Sequence, residues 1–268
     1  MVLEKIQSSV LSEANKYVEN HFELLKCYLN PLFKYKQGNC HNVSHYASLV
    51  LRNYSISHKK IWIFAPTRYD ENSKLAIQRP DPNNISPKGF LTWGFHVALL
   101  IEHEGNEIVF DYFVDEKKPM TIGNWIASMN INNFYIEIEK PDYYLFYGKT
   151  LKKKNGVFYG KYFEYEGLSK EGNWLAKGLA INETAVHLYQ NELYHFQHKT
   201  SMSDDYRLFV GSVNNFECIL RDNTINNKMT LCFQKEHKDI IMKYRLIYAQ
   251  NLDKWTKKVN VLLCNTFF

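Results

Sequence analysis

Paired cysteines are missing from this chain. The five present, Cys27, Cys40, Cys218, Cys232 and Cys264, are odd in number and include no Cys-x-x-Cys spacing, which argues against a disulfide framework and a structural zinc site. Long apolar runs are missing too: no stretch approaches ~18 residues, so no membrane span is expected. The first residues, Met-Val-Leu-Glu-Lys-Ile-Gln, lack the basic region and apolar core of a secretory signal. The expectation is a chain made in the cytoplasm, which either acts there or is delivered to a target cell without a cleavable signal peptide. Charge of one sign is also scarce. A net +5 over 268 residues is mild, and the basic residues are scattered apart from Lys152-Lys153-Lys154 and Lys257-Lys258. The triplet precedes Asn155-Gly156 and reads as a solvated turn, so no nucleic acid is expected as a partner. His187, His195 and His198 lack the Asp, Glu or Cys spacing of a metal site, so no zinc is expected.

Against these absences, 45% hydrophobic content is enough for a substantial core in one large domain or two modest ones. Apolar positions Ile6, Val10, Leu11, Ala14, Val18, Phe22 and Leu25 recur at helical spacing until Asn30-Pro31 breaks them, predicting one long helix or two short ones. A second helix follows Gly38-Asn39, with Val43, Ala47, Val50 and Leu51 on one side and His41, His45, Ser48 and Arg52 on a polar side, where the two histidines read as solvated or structural. Lys60 to Ala65 reads as a strand ended by Pro66. Residues 66–90, rich in proline, read as a long surface loop. Leu91 to Val114 carries the clearest hairpin pattern, followed by a short helix over Thr121 to Met129 and a strand over Phe134 to Ile138.

From about Asp142 the pattern changes to short alternating segments: Val157 to Tyr165, Ala185 to Phe196, Tyr206 to Val213, Phe216 to Leu220, Met229 to Phe233, Ile240 to Ala249 and Val259 to Leu263. They predict a β-rich second domain, a sandwich or small barrel, with residues 1–145 as the first domain and 146–268 as the second.

Chemistry concentrates in the first part. Cys40 stands in the first turn of its helix, where unpaired N–H groups and the positive end of the helix dipole favour an anionic sulfur. Such a nucleophile needs a base, and the base needs a group that fixes its tautomer. Thr92-Trp93-Gly94-Phe95-His96-Val97 places His96 at the head of an apolar strand, and Ile108-Val109-Phe110-Asp111 places an acid on the returning strand. For the oxyanion of an amide attack, the backbone N–H of Cys40 is the natural donor, with the side chains of Asn39 or Gln37 as additional candidates. Trp93 is a candidate for shielding the His–Asp pair and lining the substrate channel.

These three motifs in order, Cys40 followed by His45, Trp93-Gly94-Phe95-His96-Val97, and Val109-Phe110-Asp111, resemble the bacterial protein-glutaminases over roughly residues 36–130. The resemblance implies an α+β class, a papain- and transglutaminase-like fold with an antiparallel sheet, and deamidation of glutamine side chains in protein or peptide substrates without metal or cofactor. It assigns Cys40 as nucleophile, His96 as general base and then acid, and Asp111 as orienter. One departure stands out: the glutamine that papain-like enzymes carry six residues before the nucleophile is replaced here by Lys34.

The hairpin turn decides which acid His96 meets. A two-residue loop at Gly105-Asn106 would set His96 opposite Asp115, and would leave Asp111 ~13 Å away along the strand. A four-residue loop, Glu102 to Gly105, sets His96 opposite Asp111, which agrees with the resemblance and uses Gly105 in a left-handed conformation. The second register is expected, with Asp115 as the alternative acid. The same triad could also serve a transglutaminase or a cysteine peptidase. A reading of another class is a non-catalytic binding module that uses residues 146–268 to hold a protein partner.

Overall fold

The computed structural model describes residues 2–68, 73–82, 86, 89–154, 157–164, 174–193, 216, 220, 235 and 237–265. Val18, Phe22, Leu25 and Leu29, three or four residues apart, turn one side of a single long helix, α1 (Val2–Leu29), into the core. The helix stops at Asn30-Pro31, as expected of a proline that can neither donate an N–H nor continue the spiral. A short 3-10 turn (Leu32–Lys34) leads into α2 (Cys40–Asn53).

Five strands form one antiparallel sheet. In spatial order they are β6 (Met120–Thr121), β5 (Asn106–Phe110), β4 (Phe95–His103), β1 (Lys59–Phe64) and β7 (Tyr135–Glu139). Ile61, Trp62, Ile63 and Phe64 of β1 are all buried, which a strand shows when both of its faces are covered. The expected loop at 66–90 contains β2 (Ile77–Pro80), which pairs with β3 (Phe90–Trp93) in a separate ribbon. The long strand expected from Leu91 therefore divides at Gly94: β3 turns to β2, while β4 pairs with β1. The helix expected at 121–129 is α3 (Ile122–Ser128), capped by the Thr121 hydroxyl accepting from the Asn124 N–H.

The β4–β5 register corrects both expectations. His103 faces Asn106 and Leu99 faces Phe110, so the loop is Glu104-Gly105, with φ of 51° and 77°. Two consecutive left-handed residues make the tight turn whose twist suits a hairpin. The strand β5 ends at Phe110, and Asp111 begins a turn in which its carbonyl accepts from the N–H groups of Val114 and Asp115.

The second half also departs from expectation. Val157 to Tyr165 holds a strand, β9 (Val157–Glu164), paired with β8 (Tyr143–Lys154). The strands expected at Ala185 to Phe196, Ile240 to Ala249 and Val259 to Leu263 are instead helical where described. They fall in α4 (Trp174–Leu188) with its π-turn (Tyr189–Leu193), and in α5 (Lys238–Asn265). Phe216 and Leu220 are helical as well, whereas Tyr206–Val213 and Met229–Phe233 lie outside the described residues. The reason is a longer period hidden under aromatic and β-branched residues: Ile241, Tyr244, Tyr248, Trp255, Val259 and Leu262 are buried, while Met242, Leu246 and Val261 are exposed. No sandwich or barrel occurs among the described residues. The boundary expected at 145/146 is crossed by β8, and α4 and α5 both pack on α2 within the same apolar core as α1 and the sheet.

The α2–α4 crossing is very close. A Cβ built on Gly178 would lie 2.1 Å from Nδ2 of Asn42, and Asn42 cannot swing aside because its Oδ1 accepts from the buried Tyr144 hydroxyl. Gly178→Ala is therefore expected to destabilise the protein by about 1–3 kcal/mol through overpacking. Thermal denaturation measures this, and an unchanged or raised Tm would refute the close-contact account.

Candidate active site

The cleft that carries the chemistry opens at the N-terminus of α2. Its cavity volume is about 290 Å³, and its walls include Gln37, Gly38, Cys40, His41, Trp93 and Phe95. Asn39, at φ 62°, turns the chain into the helix, and its carbonyl accepts from the Asn42 and Val43 N–H groups. Cys40 is the first residue of the helix, a free thiol that is almost fully buried but still reaches the cleft.

His96 lies completely buried at the head of β4. Trp93 stacks on its ring at 4.7 Å between centroids, and Phe113 meets it edge-on at 5.7 Å. The Nε2 of His96 donates to Oδ2 of Asp111 at 2.7 Å. The same carboxylate accepts the Trp125 indole N–H at 2.7 Å and, through Oδ1, the Phe113 backbone N–H at 3.0 Å. The other ring nitrogen, Nδ1, has no partner of ordinary hydrogen-bond geometry, but Cys40 is near enough to act on the ring.

Burial by itself would strip His96 of its proton. It is outweighed by the Asp111 charge, by the hydrogen bond to Asp111 and by Cys40, which together raise the pKa from 6.5 to about 10. Burial likewise opposes an ionised Asp111, and His96, Trp125 and the Phe113 N–H overcome it to hold the carboxyl below its usual value. The pair is thus a buried imidazolium and carboxylate, fully hydrogen-bonded on the acid side.

The register explains how Asp111 reaches His96 without facing it. Continued past Phe110, the pairing would put His96 opposite Phe113 and leave Asp111 as its diagonal neighbour on the same face, within reach of the two side chains. Asp115 is set apart: its carboxylate accepts from the Lys117 and Lys118 N–H groups in an exposed turn.

The two amide side chains next to Cys40 separate clearly. Nδ2 of Asn39 donates to Oδ1 of Asn182 at 3.0 Å and toward the Gly178 carbonyl at 3.4 Å, so this amide is tied to α4 rather than offered to the cleft. Gln37 accepts the Tyr189 hydroxyl on Oε1 at 2.9 Å, and its Nε2 is buried with no partner among the described residues. A buried donor left open beside a thiol is an unspent hydrogen bond. Trp93 both lines the cleft and covers His96, held by its indole N–H donating to the Lys36 carbonyl at 3.0 Å.

On the polar side of α2, His45 is structural rather than solvated. His45 and Ser48 are buried, His45 against Nζ of Lys60 at 2.6 Å and Ser48 against Nε2 of His58 at 2.7 Å. Lys60 also donates to the Tyr143 carbonyl at 2.7 Å. Burial first, and then the nearby Lys60 charge for His45, pushes the pKa values of Lys60 and His45 well below their ordinary values. Trp125 and Tyr189 escaped the sequence reading, the first because it looked like one apolar position of a short helix. An indole N–H that must be buried with its helix needs an acceptor, and that requirement was the available signal.

Among the described residues no helix is long and apolar enough to cross a membrane, and no group of three His, Cys, Asp or Glu could hold a metal ion. Residues 16–129 match the model of a family described as Glutaminase. No curated protein matches the chain. Among solved structures, the chain is similar to protein-glutaminase from Chryseobacterium proteolyticum at 13% identity, with a TM-score of 0.40 over 58% of this chain and 73% of that one. A crystal structure of protein-glutaminase gives 13% identity and a TM-score of 0.42 over 62% and 84%. A pro-protein-glutaminase gives 12% and 0.41 over 65% and 57%. Overlap of this extent leaves the chemistry to be argued from the chain's own residues.

His96 holds its proton more tightly folded than unfolded, so its contribution to stability is complete below about pH 6.5 and is lost as pH rises through about 10. The Tm advantage of the wild type over His96→Gln should accordingly shrink across that window in a pH series of melts. A gap that stays constant or widens toward pH 10 would contradict the raised value.

Proposed function

We propose, from the match of residues 16–129 to the glutaminase family model and from the site's geometry, that the chain is a cysteine amidohydrolase that converts glutamine side chains of proteins or peptides to glutamate. The observation that carries the proposal is the buried chain of contacts from Cys40 through His96 to Asp111, with Nε2 of His96 committed to the acid and Nδ1 left on the side of the thiol.

In this reading the proton given up by Cys40 is the one that the His96 imidazolium holds on Nδ1, and the sulfur attacks the carboxamide carbon. The oxyanion that forms meets the Cys40 backbone N–H at the start of α2 and the free Nε2 of Gln37. Collapse breaks the C–N bond, His96 returns the proton to nitrogen, and ammonia leaves. Water then attacks the thioester, giving its proton to His96, and the C–S bond breaks to yield glutamate and restore the sulfur beside the His96 imidazolium. Asp111 keeps the tautomer and stabilises the imidazolium, while Trp93 and Phe113 keep water from the ring. Gln37 rather than Asn39 takes the oxyanion role, because the Asn39 amide is already occupied.

The test is ammonia release from a denatured general protein substrate. Wild type should release it, and Cys40→Ala and His96→Ala should not. Peptide mass spectrometry should show glutamine gaining about one dalton; a larger adduct means crosslinking and chain cleavage means proteolysis, either of which replaces the proposal. Gln37→Ala should lower kcat by roughly 10²-fold, the loss usual for one oxyanion donor, with KM little changed. A Cys40 that alkylates no faster than exposed Cys27 near neutral pH would favour the binding-module reading instead.

A further inference from the structure

The segment matched to the glutaminase family ends at residue 129, but the hydrogen bond that orients Gln37 comes from far beyond it. The geometry points to Tyr189 as a positioning residue for the reaction: its hydroxyl holds Oε1 of Gln37 so that Nε2 is presented to the oxyanion formed at Cys40. This inference rests on the amidohydrolase reading.

Three observations support it. Gln37 lines the cleft with Cys40 and is buried, so its amide has few orientations open to it. Its two ends are treated unequally: Oε1 accepts from Tyr189 at 2.9 Å, whereas Nε2 is buried and unpartnered. An amide whose oxygen is held in this way keeps its N–H groups directed elsewhere, and donation to its oxygen polarises the N–H bonds and makes them better donors. The third observation is that Tyr189 is itself fixed. It is buried at the end of α4, where the helix passes into a π-turn, and its ring packs against Tyr35 at 5.8 Å. Tyr35 lies two residues before Gln37 and is fully buried, so the tyrosine is braced against the loop that it orients. Burial pushes the Tyr35 phenol far up, so it stays neutral beside this contact.

Asn182, about two turns earlier along the same side, holds the other amide of the same loop by accepting Nδ2 of Asn39. Residues of α4 and its π-turn thereby divide the two amides that precede Cys40: one is tied down, and the other is aimed. No covalent step involves Tyr189.

The experiment is a double-mutant cycle of Tyr189→Phe and Gln37→Ala in the full chain. It is read as kcat and KM for ammonia release, and as the acylation burst with a p-nitrophenyl ester, whose tetrahedral intermediate requires the same donor. Tyr189→Phe should lower kcat about tenfold, as expected for one lost hydrogen bond, with KM and the iodoacetamide reactivity of Cys40 unchanged. In the Gln37→Ala background it should have no further effect. Equal losses in both backgrounds mean a structural effect and overturn the inference, as does a Tyr189→Phe enzyme within twofold of wild type. If the wild type releases no ammonia, the amidohydrolase reading has failed. The ester burst still decides on Tyr189: a loss confined to the Gln37 background supports its positioning role, and any other pattern rejects it.

Discussion

A carboxylate taken out of water costs several kcal/mol unless its oxygens are satisfied, and Asp111 is almost fully buried. Its donors come from three places: the His96 ring on β4, the Trp125 indole on α3, and the Phe113 N–H of its own turn. Those three elements cannot move independently without stranding a charge. Arg79 of β2 ties the region further, donating to the Ser128 carbonyl at the end of α3 and to the Val114 carbonyl in the turn. The orientation of His96 follows from this arrangement, since a ring committed at Nε2 and stacked under Trp93 has only Nδ1 to offer the thiol.

Helix α2 is held as firmly on the opposite side of the cleft. Ser44 donates to the Val97 carbonyl of β4, one residue past His96, which fixes the helix against the strand that carries His96. The Gly178 backbone presses on Asn42 from the other side. The polar face of α2 is sealed by Lys60, His58 and Tyr144. Burial lowers the pKa values of Lys60 and His45, which favours their uncharged forms in this enclosed contact. Cys40, on a helix gripped from three sides, is held in place.

The first half was legible because its signals are local. Pro31 ends α1, Gly38 and Asn39 introduce α2, and alternation marks the hairpin. The association of His96 with Asp111 survived a wrong register because the expected and observed alignments keep both residues on one face of the sheet; only the offset differs. That offset depended on Glu104 adopting positive φ, which a glutamate does not advertise. The second half was misread for a different reason. Tyr, Ile and Val in α5 suggest strands by composition, and the three-and-four spacing of its buried residues emerges only over a window longer than the short segments considered. In α4 buried residues surround the axis, so no face is marked at all. The roles of Asn182 and Tyr189 are tertiary: nothing near them in the chain names Asn39 or Gln37 as their partners.

Those contacts span 143 and 152 residues of chain. Bonds of that separation carry a large loop-closure cost and belong among the last to form. At a synthesis rate of about 5–20 residues per second, the stretch between Asp111 and Tyr189 occupies the ribosome for on the order of ten seconds. During that interval the nascent chain already contains Cys40, His96 and Asp111, but the loop leading into the thiol has neither of its anchors. The cleft is therefore completed from its far end of the chain, and the order of translation places its finishing residues after all of the residues they arrange.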